Sequence, residues 1–105
     1  MFIKLNQHIS DLTVGQSYCV IGIEADDYRL LNDCGQPYLY SAAFFTAVDA
    51  AEPADWISDI GADGERYAYP LPLNEPGFFE DFFAGVPRAI AIFWQVINGR
   101  LAQVA

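Results

Sequence analysis

His8 is the only histidine of the chain and Cys19 and Cys34 its only cysteines, so any imidazole-activated nucleophile must draw on this one base. Cys34 stands between Asp33 and Gly35 in a turn sequence and is the more accessible thiol, whereas Cys19 lies in an apolar run where a thiol packs as a small hydrophobe. A negative field disfavours the thiolate, and His8 falls in a polar N-terminal stretch expected to be mobile and solvated. Structural roles are therefore expected for both cysteines, and a solvated side chain rather than a base for His8.

The carboxylates fare no better as a catalytic or metal set. Aligning a calcium loop on Asp59 puts Gly61 at the third ligand and Pro70 at the twelfth, where a bidentate glutamate belongs, so the motif fails. One histidine and two cysteines, one of them expected inside, do not make a zinc site. Fourteen acids in a small domain guarantee some pairs at glycosidase spacing, and for that reason a pair means little. No phosphate-cradling glycine motif and no Gly-x-Ser-x-Gly is present. No metal, no cofactor and no catalysis are expected.

At 105 residues and 53% hydrophobic, the chain is expected to form a single domain, residues 1–105, rather than a disordered acidic tail. The fourteen acids face five bases, for a net charge of -9, a field that repels phosphate backbones and anionic lipid. Neither nucleic acid nor membrane is therefore an expected partner; a basic protein is. The stretch MFIKLNQHIS lacks the apolar run of a signal peptide, and Ala89 to Trp94 is far short of a bilayer span. The expectation is a cytoplasmic protein with reduced thiols.

The elements that must position these residues follow from local pattern. Ser17 to Glu24 is rich in β-formers without a helical stripe and reads as one strand. It should pair as a hairpin with Tyr28 to Asn32, and further strands are expected at Pro37–Ser41, Phe44–Asp49, from Trp56, and at Arg66–Tyr69. Short strands with tight turns describe a small, strongly bent antiparallel sheet, an SH3-like barrel. After Pro70, Pro72 and Pro76 the pattern turns helical, with Phe78, Phe79, Phe82 and Phe83 at i, i+3, i+4 spacing and Gly85 placed to cap. Val86, Ile90, Phe93, Ile97, Leu101 and Val104 then mark one face of a second helix, against the hairpin signal Asn98-Gly99. The fold class is thus α+β, with one or two C-terminal helices. Ile92, Trp94 and Val96 remain outside that stripe, which leaves monomer and homodimer both open.

Acidic charge concentrates where turns are expected. Asp26, Asp27, Asp33 and Asp63 are explained by the turn-forming habit of aspartate. That habit explains less well the whole run Asp49, Glu52, Asp55, Asp59, Asp63 and Glu65, uninterrupted by any base, and with Tyr67 and Tyr69 as aromatic anchors this run is the candidate partner-binding surface. Phe44, Trp56, Phe78 and Phe82 are assigned instead to the core.

Val14-Gly15 with Tyr18 and Val20, Tyr28-Arg29-Leu30-Leu31-Asn32-Asp33 with Gly35 and Pro37, Pro53 with Asp55-Trp56, and Pro76-Gly77-Phe78-Phe79-Glu80-Asp81 together resemble small bacterial SH3-like proteins of the immunity type. The resemblance covers roughly residues 12 to 83 and is one of texture and spacing, without an invariant chemical motif. It implies a protein that binds and occludes a cognate toxin without catalysing anything. In the cytoplasm that toxin would be basic, a nuclease for example, with an acidic loop standing in for its substrate. The alternative is an SH3-like adaptor that binds a peptide through its aromatics; a small hydrolase using Cys34 or an acid pair ranks behind both.

Overall fold

The computed structural model describes residues 1–104, with side chains as far as residue 102, and divides them into two compact units, Met1–Tyr69 and the residues from Pro70 onward. The first unit carries eight strands: β1 (Phe2–Leu5), β2 (Ser17–Cys19), β3 (Gly22–Glu24), β4 (Asp27–Leu31), β5 (Pro37–Ser41), β6 (Phe45–Asp49), β7 (Trp56–Ile60) and β8 (Arg66–Pro70). They form two antiparallel sheets, β2-β1-β6 and β5-β4-β3-β8-β7. The α+β class with a dominant antiparallel sheet is as the sequence implies, but the sheets remain open and no barrel closes.

The opening has a local cause. The expected single strand from Ser17 to Glu24 is broken at Val20 and Ile21, whose amides bond in opposite directions: Val20 N donates to the Met1 carbonyl at 2.9 Å and Ile21 N to that of Arg29 at 2.8 Å. Consecutive residues thus belong to different sheets. The N-terminal stretch, expected to be mobile, is instead the central strand of the smaller sheet, with Ile3 opposite both Tyr18 and Ala47. Its alternation is that of a half-buried strand, Ile3 and Leu5 inside and Lys4 outside. His8 lies beyond it and is exposed, as expected.

The core of this unit is built on Ile3, Leu5, Leu30 and Ala68, with Tyr18, Tyr40 and Trp56 around them. Two tyrosines reach out of it to fix the long 6–16 connection. Tyr40 donates to Asp11 at 2.6 Å and accepts from Asn32 at 3.2 Å, while Tyr18 donates to Asp33 at 2.8 Å and accepts from the Thr13 amide at 2.8 Å. Asn32 in turn accepts from the amides of Cys34 and Gln36, closing the β4–β5 turn around Gly35 at φ +76.

In the second unit a short 3-10 turn (Leu71–Leu73) leads to α1 (Phe78–Phe83) and α2 (Pro87–Val104). Phe78 and Phe82 are buried, as expected, and Phe82 meets the fully buried Phe93 at 4.8 Å between ring centroids. α1 ends where Gly85 takes φ +81, with Gly85 N donating to Phe82 O and Val86 N to Asp81 O. These two bonds satisfy carbonyls that the helix end would leave open. The Asn98-Gly99 hairpin signal loses to the helix, because Ala89, Phe93 and Ile97 form a buried row at i, i+4, i+8 that only a helix can make. Val86 and Leu101, expected in that row, are exposed at its margin, and Val104 lies outside the described side chains. Of the surplus apolar residues, Ile92 and Val96 are half-buried and Trp94 is exposed.

Candidate functional site: an acidic hairpin and the frame behind it

The acidic run is laid out along the end of β6, the 50–55 loop and the β7–β8 hairpin. Trp56, buried in the core, pins the start of β7, and its amide donates to the Pro53 carbonyl at 3.2 Å. The hairpin turn is closed by Gly61 N to Glu65 O at 2.8 Å and Gly64 N to Gly61 O at 2.9 Å, with Gly64 at φ +83. Asp63 turns its carboxylate inward over the turn and accepts from Glu65 N at 3.1 Å. A Cβ on Gly61 would sit 2.9 Å from that carboxylate and 3.2 Å from the Tyr67 ring, so the turn tolerates no side chain there without moving one or the other.

Each expected contact residue has a definite place. Asp49 is exposed at the end of β6 and accepts from Ala51 N at 3.0 Å. Asp55 and Glu65 are exposed in the segments flanking the hairpin strands, and Asp59 is exposed in the middle of β7. Glu52 differs from the rest. Arg66, the sole base of the region, holds it through both guanidinium ends, Nη1 to Oε2 at 2.8 Å and Nη2 to Oε1 at 2.5 Å, and also donates to Ser58 Oγ. The guanidinium holds the Glu52 carboxyl below its ordinary range, and Glu52 in turn raises the pKa of Arg66. The surface is therefore negative without a competing free cation from Arg66.

Tyr67 is half-buried, and its phenol is pushed up chiefly by the charge of Asp63, with Glu65 and Glu24 adding to it. Its ring and the Asp63 carboxylate both border Gly61, which places Tyr67 beside that acid. Tyr69, grouped with it in the sequence, is not a surface anchor: it is 5% exposed. Its hydroxyl accepts from Arg29 Nε at 2.6 Å and donates to Glu24 Oε2 at 2.5 Å. Arg29 completes the set by donating Nη2 to Glu24 Oε2 and Nη1 to the Pro37 carbonyl, both at 2.6 Å.

This Glu24–Arg29–Tyr69 group is the feature that sequence reasoning missed. It is possible because Gly22 faces the ring: a Cβ there would lie 2.2 Å from Tyr69 Cδ1 and Cε1. Burial is the main cause that pushes the Tyr69 phenol well above its ordinary value. Glu24 Oε2, the Arg29 guanidinium and the Tyr69 hydroxyl bond one another in a closed set, and Arg29 also reaches the Pro37 carbonyl, which makes the group a brace across β3, β4 and β8. A buried charge so paired resists disruption because removing one partner strands the others.

Neither cysteine is in a disulfide; Cys19 is half-buried and Cys34 exposed. Among the described residues no group of three or more His, Cys, Asp or Glu side chains is disposed to hold a metal ion, and no helix is long and apolar enough to cross a membrane. Compared with protein-family models, curated proteins and solved structures, the chain matches none of them.

Proposed function

We propose that the protein is a non-catalytic binder that occludes a basic protein, in the manner of a bacterial, cytoplasmic immunity protein meeting its toxin. The observation that carries this reading is the exposure of Asp49, Asp55, Asp59, Asp63 and Glu65 along one loop and hairpin whose single base is already engaged by Glu52. Such a surface attracts a partner with a positive groove, and complementary fields raise encounter rates toward about 10⁸ to 10⁹ M⁻¹s⁻¹ at low salt. Rapid capture suits an inhibitor. The toxin itself is supplied by the resemblance noted above.

The test uses the polypeptide encoded beside this one. Its affinity should fall steeply as salt rises, and replacing Asp55, Asp59 and Asp63 together by lysine should weaken it by about a hundredfold or more, with the circular dichroism unchanged. An affinity indifferent to both salt and charge reversal would reject the acidic interface.

A further inference from the structure

Four strands lie at the margins of the two sheets, and three of them are blunted. β2 has only three residues. The β1–β6 register shifts between Phe2 and Ile3, opposite Asp49 and Ala47, so Val48 is an extra residue that bends the margin of β6. β5 opens on Pro37, which has no N–H to offer. β7 has none of these devices: it is as long as β5 and β6, without a proline or a recorded bulge, and Ile57 and Ile60 are 42% and 68% exposed on it.

The Gly61 N to Glu65 O bond sets the alternation of this strand. Residues 57, 59 and 61 turn their backbone groups toward β8, so the N–H and C=O groups of Ser58 and Ile60 face the side where the sheet has no further strand. Ile57 and Asp59 share one face, two residues apart. A second copy of the chain is a poor occupant, since it would bring Asp55, Asp59 and Asp63 of two molecules, each of net charge -9, against one another. A strand with a lysine or arginine beside Asp59 and a branched apolar residue beside Ile57 meets both the charge and the exposed surface.

We infer that the outer margin of β7 takes up an extended basic segment of the partner as a sixth strand, paired through Ser58 and Ile60 and selected by Asp59. This rests on the reading of a basic partner given above and specifies how that partner is held. The probe is a short capped peptide alternating lysine and valine, with a second version N-methylated on alternate residues to block one hydrogen-bonding side, and a third with glutamate for lysine. Binding of the first to the intact protein should slow amide exchange at Ser58 and Ile60 by about tenfold or more, and both other peptides should bind at least about tenfold more weakly. If the N-methylated peptide binds as well as the first and these amides exchange unchanged, strand addition is overturned while a basic-partner surface stands. Equal binding of the glutamate peptide overturns selection by Asp59. If neither the lysine peptide nor the basic polypeptide of the preceding test binds, the inference and the function it rests on fall together.

Discussion

Replacing Gly22 by alanine tests the brace behind the hairpin most directly. The new Cβ would stand 2.2 Å from two carbons of the Tyr69 ring and 2.8 Å from the Ala68 carbonyl oxygen. Ordinary contact begins near 3.4 Å, so the ring must retreat by more than an ångström. Its hydroxyl, now 2.6 Å from Arg29 Nε and 2.5 Å from Glu24 Oε2, then leaves hydrogen-bonding range of at least one of them. Overpacking costs about 1–3 kcal/mol, and a lost bond to a buried charged group about 1.5–3 kcal/mol. Gly22→Ala should therefore destabilise by about 3–5 kcal/mol, and Tyr69→Phe alone by about 2 kcal/mol. Because the alanine has already displaced the hydroxyl, Tyr69→Phe in the Gly22→Ala background should cost less than about 1 kcal/mol. Urea unfolding followed by tryptophan fluorescence reads all four corners of the cycle, Trp56 reporting from the core of this unit. Full additivity, or a Gly22→Ala protein within about 1 kcal/mol of the parent, would refute the claim that this glycine exists to admit the ring.

The same phenol sets an alkaline limit. Its folded pKa is raised, so its contribution is complete below the ordinary value of 10.0 and is lost as pH climbs through the higher folded value; the stability gap between parent and Tyr69→Phe should narrow above pH 10. Arg66→Gln takes the net charge from -9 to -10 and releases Glu52. Stopped-flow association with a lysine homopolymer should quicken by about twofold at low salt, at a stability cost of at most about 1 kcal/mol; slower association would make Arg66 a contact in its own right. Gly99→Ala in α2, where an added Cβ meets nothing within 4 Å, should stabilise by about 1 kcal/mol in thermal melts, and a loss instead would reopen the hairpin for this segment.

Local pairing was the most legible part of the sequence. β3, β4 and β5 follow one another through turns marked by Asp26, Asp27 and Gly35, and each pairs with its neighbour in the chain. β1 escaped because a four-residue alternation next to Asn6, Gln7 and His8 is too short to stand out, and its partners lie far along the chain. The switch at Val20 and Ile21 left no mark, since both are β-formers buried on either side of it. Tyr69 was misassigned for a related reason: nothing near it in sequence reveals that Gly22, 47 positions earlier, opens the space it fills. The exposure of the acids was legible from turn chemistry, whereas the engagement of Glu52 by Arg66, fourteen residues on, needed the hairpin to be folded first.

The placement of β1 between β2 and β6 also orders events during synthesis. The meander from Gly22 to Ser41 is made of neighbours in sequence and can assemble as soon as it leaves the ribosome. Phe2 to Leu5 must wait, because the strand that completes their sheet ends at Asp49. Through that interval Ile3 and Leu5, the most deeply buried residues of β1, are held by one partner strand alone. A pause or a mutation that delays Phe45–Asp49 therefore exposes a segment made earlier rather than the one being made, and it is there that a chaperone would find its apolar segment.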